Sequence, residues 1–274
     1  MRSKEKEYRE TNKRIKKVCN KYRHMTSGGP PNFYIDMKHN LGYCEQHKVG
    51  SSTWTSHFLK LMPEKLRPKS IVGHWDETME AYYKKPFAWA RDQYKTQWQL
   101  KNWFLSFVKN KKIMLFSFVR HPFERLVSAY KDKFLKHESK GHNFVRYRSW
   151  YHKDHSFSSF ANLVLMEYNK YIRNEGRVNG HWLPMTLKCW YCDAHYDVVG
   201  RMETFSEDVK YIIVKNKLGM LSVDTQVRST GHSPKEDALK YFSTLTKHQI
   251  RSLYEMYKID FEIFNYKVDD YIKL

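Results

Sequence analysis

IMLFSFVRHPFERLVSAYKDKF, residues Ile113 to Phe134, divides into three pieces around which the remainder of the chain is arranged. Ile113-Met114-Leu115-Phe116 is an apolar run too short for a helix of its own and flanked by Lys111-Lys112, the pattern of a buried strand. Arg120-His121-Pro122 interrupts it, because proline biases the preceding residue away from the helical conformation while fitting the first turn of a new helix. From Phe123 the apolar positions recur at Leu126, Val127, Tyr130 and Phe134, a helical stripe from which Arg125, Ser128, Lys131 and Asp132 are offset. The stretch predicts strand, turn and helix, with Arg120 delivered beside a helix N-terminus whose N–H groups and dipole attract anions. A plain strand–helix junction carrying a solvated arginine has the same outline, so the stretch alone does not define a site.

A second strand–turn–helix precedes it. Lys48-Val49-Gly50-Ser51-Ser52-Thr53-Trp54 leads into a helical pattern at Trp54, Phe58, Leu59 and Met62 that Pro63 stops. The full G-x-x-x-x-G-K-[ST] spacing is absent, but a lysine, a glycine and three hydroxyls at a helix start are the same physical parts, and they suit phosphate. A Ser/Thr cap on a surface helix reads the same way in isolation. Residues 32–49 are expected to enter the sheet, with Gly42-Tyr43-Cys44 to Lys48 its weakest strand. Tyr196 to Gly200 reads as a further strand, and Phe157 to Tyr168, Ser206 to Lys217 and the face Ile250, Leu253, Tyr254, Tyr257, Phe261 as helices. Ser156 or Ser158 is the expected cap of the first, and Thr246-x-x-Gln249 a capping box for the last. Alternating strands and helices without an internal repeat predict an α/β fold, a P-loop-like parallel sheet flanked by helices. The charged residues 1–31 read as a basic stem and linker outside the main core, and 32–274 as one catalytic-sized domain. Pro68 to Lys112 is rich in Trp and Tyr; its aromatics suit a sugar site or core packing, and packing is the expectation for most.

With 49 Lys+Arg against 29 Asp+Glu the net charge is +20, which implies a polyanionic partner: nucleic acid, anionic lipid or acidic polysaccharide. No aromatic RNA-binding pattern and no C2H2 zinc-finger spacing is present, which weakens the first of these. Basic residues Lys136, Lys140, Arg146, Arg148 and Lys153, and the polar stretch Thr225 to Pro234, read as surface loops. The four cysteines, Cys19, Cys44, Cys189 and Cys192, permit two disulfides, while Cys189-x-x-Cys192 also has the spacing of half a zinc site or a redox pair. No run of about 18 apolar residues is present to span a membrane.

Four blocks then converge. Lys48 to Trp54; Val119-Arg120-His121-Pro122-Phe123-Glu124-Arg125-Leu126-Val127-Ser128-Ala129-Tyr130; His181-Trp182 with Cys189-x-x-Cys192 and Tyr196-Asp197-x-Val199-Gly200-x-x-Glu203-Thr204; and Leu253-Tyr254-x-x-Tyr257 through Phe264-Asn265-Tyr266 together resemble the Golgi carbohydrate sulfotransferases of the chondroitin 4-O and HNK-1 type. The resemblance runs in order over roughly residues 40–270 and implies a sulfotransferase fold that uses 3′-phosphoadenosine 5′-phosphosulfate (PAPS) as sulfuryl donor and requires no metal. It implies a 5′-phosphosulfate loop at His47, Lys48, Val49, Gly50, Ser51, Ser52 and Thr53. It implies a 3′-phosphate site over Arg120, His121, Pro122, Phe123, Glu124, Arg125, Leu126, Val127 and Ser128, with Arg120 and Ser128 in direct contact. Members commonly carry Pro-Lys-Val-Ala-Cys-Thr-Asn where this chain has His47 to Thr53; the lysine and hydroxyl chemistry is kept.

The implied reaction is in-line transfer to a hydroxyl of an anionic glycan, of chondroitin/dermatan or related glycoprotein type, with no nucleic-acid partner. Lys48 is the expected electrophilic catalyst at the leaving oxygen, and His74 and His181 are the candidate general bases, histidine having a suitable pKa. The family also implies the Golgi lumen, a type II membrane anchor preceding an incomplete N-terminus or a soluble secretory form, and cysteines paired as secretory-pathway disulfides. A nucleotide kinase, or a non-catalytic heparin- or nucleic-acid-binding protein, is the competing reading.

Overall fold

Four strands, β1 (Phe33–Asp36), β2 (Leu41–Cys44), β3 (Met114–Val119) and β4 (Val198–Arg201), lie side by side in that order. This is a computed structural model, which describes residues 1–22, 30–67, 77–135, 154–223 and 234–273. They cluster into two units, Met1–Val119 with Thr186–Ser229, and Arg120–Met185 with Thr230–Leu274. The sheet belongs to the first unit. β2, β3 and β4 are mutually parallel, as an α/β fold requires. The sheet is nonetheless mixed rather than wholly parallel, because β1 pairs antiparallel with β2. The cause is local: only residues 37–40 join the two strands, far fewer than a crossover needs. Asp36 Oδ1 accepts the N–H groups of Lys38 and His39 (2.9 and 3.1 Å) and Asn40 takes a left-handed φ of 52°, so the chain folds back as a hairpin. The segment expected to run as strand to Lys48 therefore leaves the sheet at Cys44.

Among the described residues of this unit the α-helices are α1 (Arg2–Lys21), α2 (Ser51–Leu61), α3 (Glu77–Gln93), α4 (Gln97–Asn110) and α7 (Phe205–Lys215). Aromatic stacking carries much of the core, with Phe33 stacked on Phe104 of α4 at 4.0 Å and Trp54 of α2 against Phe116 of β3 at 4.3 Å.

The N-terminal segment is helical, but it is not an arm outside the core. Tyr8, Thr11, Ile15, Val18 and Cys19 form a buried stripe. Tyr8 donates to the fully buried Asp208 at 2.6 Å, Lys4 reaches the same carboxylate at 2.9 Å, and Asn12 donates to the Tyr196 carbonyl at 2.7 Å. Cys19 is bonded to Cys192 and Cys44 to Cys189. Cys189 and Cys192 thus pair outward with two other elements, and no thiol remains for zinc or redox exchange.

The second unit is helical: α5 (Pro122–Tyr130, extended by a π turn to Leu135), α6 (Phe157–Ile172), α8 (Pro234–Phe242), α9 (Lys247–Phe264) and α10 (Asp269–Ile272). Ser156 caps α6 by accepting from the Ser159 N–H, and Thr246 and Gln249 form the capping box of α9. Phe123, Leu126, Val127, Phe160, Trp182, Leu253, Tyr257 and Phe261 share its core. No described helix is long and apolar enough to cross a membrane.

The disulfide between residues 173 apart should restrain the unfolded chain strongly. Replacing both Cys19 and Cys192 by Ser is expected to lower the unfolding free energy by about 2–5 kcal/mol in urea titrations and to expose α1 to limited proteolysis.

Candidate active site

Parallel pairing brings the C-terminal ends of β2, β3 and β4 to one edge of the sheet. In open α/β sheets that edge is where ligands bind. The segment after β2 is the loop of the first block, which carries Lys48. Its start is pinned: Cys44 is disulfide-bonded, and its carbonyl accepts from Ser117 of β3 at 2.9 Å, which in turn accepts from the buried Tyr191 hydroxyl at 2.9 Å.

Val49 is buried beneath the loop, while His47, Lys48, Gly50, Ser51 and Ser52 are half-buried and Thr53 is almost wholly buried. Two successive reversals shape it, Lys48 at φ 68° and Gly50 at φ 82°. Gly50 is the N-cap of α2, and no side chain caps the helix there. A glycine thus stands where a Ser/Thr cap would; the Thr53 N–H donates to the Gly50 carbonyl at 3.1 Å, and no side chain occupies the N–H groups of Ser51 and Ser52 that face an external acceptor. Gly50 has a second reason to be glycine, since a Cβ at that position would lie 2.4 Å from the Phe205 ring. Phe205 opens α7 and packs on Phe118 of β3, so the aromatic layer under the loop sets its height.

At the end of β4 stands Arg201, in register with Val119. Its N–H donates to Asp208 at 2.8 Å, and its guanidinium lies 4.0 Å from Glu7. Sequence reading passed over this cation; its signal was a basic residue directly after the Tyr196–Gly200 run.

The second unit holds the residues that follow β3. Pro122 begins α5 without a side-chain cap. Phe123, Leu126 and Val127 point into the core, and Arg120, Glu124 and Ser128 remain partly exposed, with Arg120 Nε 3.7 Å from Glu124. His121 is buried against Phe261, Tyr266 and Tyr271, and its Nε2 donates to the Lys267 carbonyl at 2.9 Å. Burial holds its pKa down to about 4, aided by the charges of Arg120 and Lys235 and opposed by that carbonyl.

Arg125 is among the most buried side chains, and its guanidinium spans the carbonyls of Leu183 (2.9 Å) and Gly180 (3.0 Å). Residues 179–183, which carry the His181-Trp182 of the third block, are also held by Tyr257, which donates to the Trp182 carbonyl at 2.6 Å, and by Glu167, which accepts from the Trp182 indole at 2.9 Å. His181 sits within this clamp. Asn179 Oδ1 accepts the His181 backbone N–H (3.0 Å) and lies 2.8 Å from Nδ1, a contact that suits the tautomer with its proton on Nδ1 and its lone pair on Nε2. His74, the basic loop from Lys136 to Lys153, and all but Pro234 of the polar stretch Thr225 to Pro234 lie outside the described residues. A cavity of about 830 Å³ lies elsewhere, lined by Tyr8, Met114, Leu115, Asp193 and His195 near the start of β3.

Comparison with known proteins decides the family. The profile described as "Sulfotransferase family" matches residues 31–267. The chain belongs to the sulfotransferase family. Carbohydrate sulfotransferase 11 of Rattus norvegicus is 29% identical, covering 94% of this chain and 73% of its own. Carbohydrate sulfotransferase 10 of Gallus gallus and carbohydrate sulfotransferase 14 of Danio rerio are each 27% identical, over 87% and 85% of this chain and 67% and 61% of theirs. No solved structure matches significantly. The resemblance carried by the four blocks is therefore a family relationship, and the α/β architecture is the one expected of a sulfotransferase.

Two outcomes follow from the geometry. Gly50→Ala must hold a left-handed conformation at a cost of about 1–2 kcal/mol and also displace Phe205, so its melting temperature should fall by several degrees in calorimetry. For His121, the unfolded value near 6.5 exceeds the folded value of about 4. The neutral ring's contribution is thus complete above pH 6.5 and is lost as pH falls toward 4. Unfolding free energies measured at about pH 7 and about pH 4 should show a decline that His121→Gln reduces by up to about 3 kcal/mol.

Proposed function

We propose that this protein transfers a sulfuryl group from PAPS to a hydroxyl of a carbohydrate, an anionic glycan of the chondroitin/dermatan class or a related glycoprotein glycan. The observation that carries the reading is the uncapped start of α2 behind Lys48, at the edge of the sheet where parallel strands end, in a chain of the sulfotransferase family. The residues present fit such a donor. Lys48 and the N–H groups of Ser51 and Ser52 at the start of α2 suit the 5′-phosphosulfate, and Arg120, a planar fork that lysine cannot imitate, suits the 3′-phosphate together with Ser128.

Sulfuryl transfer forms one sulfur–oxygen bond, from the acceptor hydroxyl, and breaks another, to the 5′-phosphate. Lys48 offsets charge on the departing oxygen. A histidine removes the acceptor proton; His181 has the required basic Nε2, and His74 remains the other candidate. The +20 net charge suits a polyanionic donor and acceptor. Both disulfides accord with residence in the secretory pathway, and the location proposed with this reading is the Golgi lumen, with membrane attachment through an N-terminal anchor.

The test is transfer of radiolabel from PAPS to desulfated chondroitin, dermatan, heparan and N-glycan acceptors. Wild-type protein should label at least one. Lys48→Ala should reduce the rate about a hundredfold or more, and His181→Ala or His74→Ala should abolish turnover while calorimetric binding of adenosine 3′,5′-bisphosphate persists. No label on any acceptor would sink the reading.

A further inference from the structure

α3 and α4 turn a row of aromatic side chains outward that neither the sheet nor the sulfuryl chemistry uses. Packing was the sequence expectation for this segment, and it holds for Tyr83, Phe87 and Phe104, all buried. It fails for Trp89 and Trp98, which are 55% and 69% exposed. On α4, Trp103 stacks on Phe107 with centroids 5.0 Å apart and lies 6.0 Å from Tyr94. Together with Trp98 they line a groove of about 460 Å³, ligand-sized. Its remaining lining is Gln99, Asn102, Ser106, Asn110 and Lys111.

The chemistry of that lining is selective. It contains no Leu, Ile, Val or Met, so it lacks the aliphatic surface of an ordinary protein-docking groove. Gln99 Oε1 accepts the Thr96 N–H and Asn110 Nδ2 donates to Ser106 Oγ, each at 3.3 Å, but the remaining donors and acceptors of these groups and of Asn102 would be stripped of water in a membrane. One lysine is too little cation for a polyphosphate backbone, whose affinity comes from neutralising many charges. A pyranose meets all of these conditions: its C–H face is apolar and stacks on an aromatic ring, and its rim of hydroxyls needs groups that both donate and accept, as carboxamides do.

The geometry points to this groove on α4 as a second glycan-binding site, which grips a segment of the acceptor chain away from the hydroxyl that reacts. The inference rests on the carbohydrate reading above and adds to it a hold on chain length. A polymer long enough to occupy both places binds more tightly than a short oligosaccharide that fills only the reactive one, by raised effective concentration.

The test compares wild type, Trp98→Ala and Trp98→Phe of the full chain. Trp98 is exposed enough that its removal leaves the melting temperature unchanged. Affinity for the four desulfated polymers is measured without donor by biolayer interferometry, with oligothymidylate as the nucleic-acid probe. Trp98→Ala should bind at least one polymer about five- to tenfold more weakly, and Trp98→Phe, which keeps an aromatic face, should recover most of that loss. In turnover, KM for that polymer should rise while kcat, and both constants for its hexasaccharide, stay at wild-type values. Equal affinity of wild type and Trp98→Ala for every polymer overturns the inference, as does Trp98-dependent binding of oligothymidylate alone. Transfer without Trp98-dependent binding refutes this site only; Trp98-dependent binding without transfer refutes the sulfotransferase reading only.

Discussion

β3 is hydrogen-bonded in parallel to β2 on one side and β4 on the other, and parallel pairing obliges all three to end at the same edge of the sheet. Everything chemical about the first unit follows from that constraint. The loop that carries Lys48 departs from β2 there, Arg201 closes β4 there, and the chain leaves β3 there toward Arg120. The constraint holds because β3 is buried, with Phe116 and Phe118 on one face packed against Trp54 of α2, and a one-residue slip would turn both phenylalanines to the opposite face.

The loop after β2 is held by covalent and packing forces rather than by capping. The Cys44–Cys189 bond and the chain of hydroxyls from Tyr191 through Ser117 to the Cys44 carbonyl fix where it begins. The contact of Gly50 with Phe205 fixes where it ends. Between these points the backbone adopts left-handed conformations at Lys48 and Gly50, a strain that persists only where the surroundings over-determine it. Such strain is common at ligand sites because it aims N–H groups outward at low reorganisation cost.

In the second unit one buried guanidinium performs a comparable task. Arg125 comes from the same helix as Arg120 and Ser128, yet it reaches the carbonyls on either side of His181-Trp182. The motif helix and the histidine segment are thereby one rigid assembly, braced further by Tyr257 and Glu167. Arg125 is thus a positioning residue by its contacts, although its place in the VRHPFERLVSAY block gives no hint of that division of labour.

Short-range physics made much of this legible beforehand. The strand–turn–helix at Ile113 to Phe134, the Ser156 cap and the Thr246–Gln249 box depend on residues a few positions apart, and the structure contains each of them. The four motif blocks likewise led to the sulfotransferase family. Four features were decided only in three dimensions. The direction of β1 depended on how few residues separate it from β2; the docking of α1 depended on Asp208, 200 residues from Tyr8; the pairing of four equivalent cysteines depended on which elements meet. The last was which aromatic residues of α3 and α4 are covered: periodicity marks a face, but only the neighbouring elements determine that Phe104 is buried while Trp98 is left to solvent.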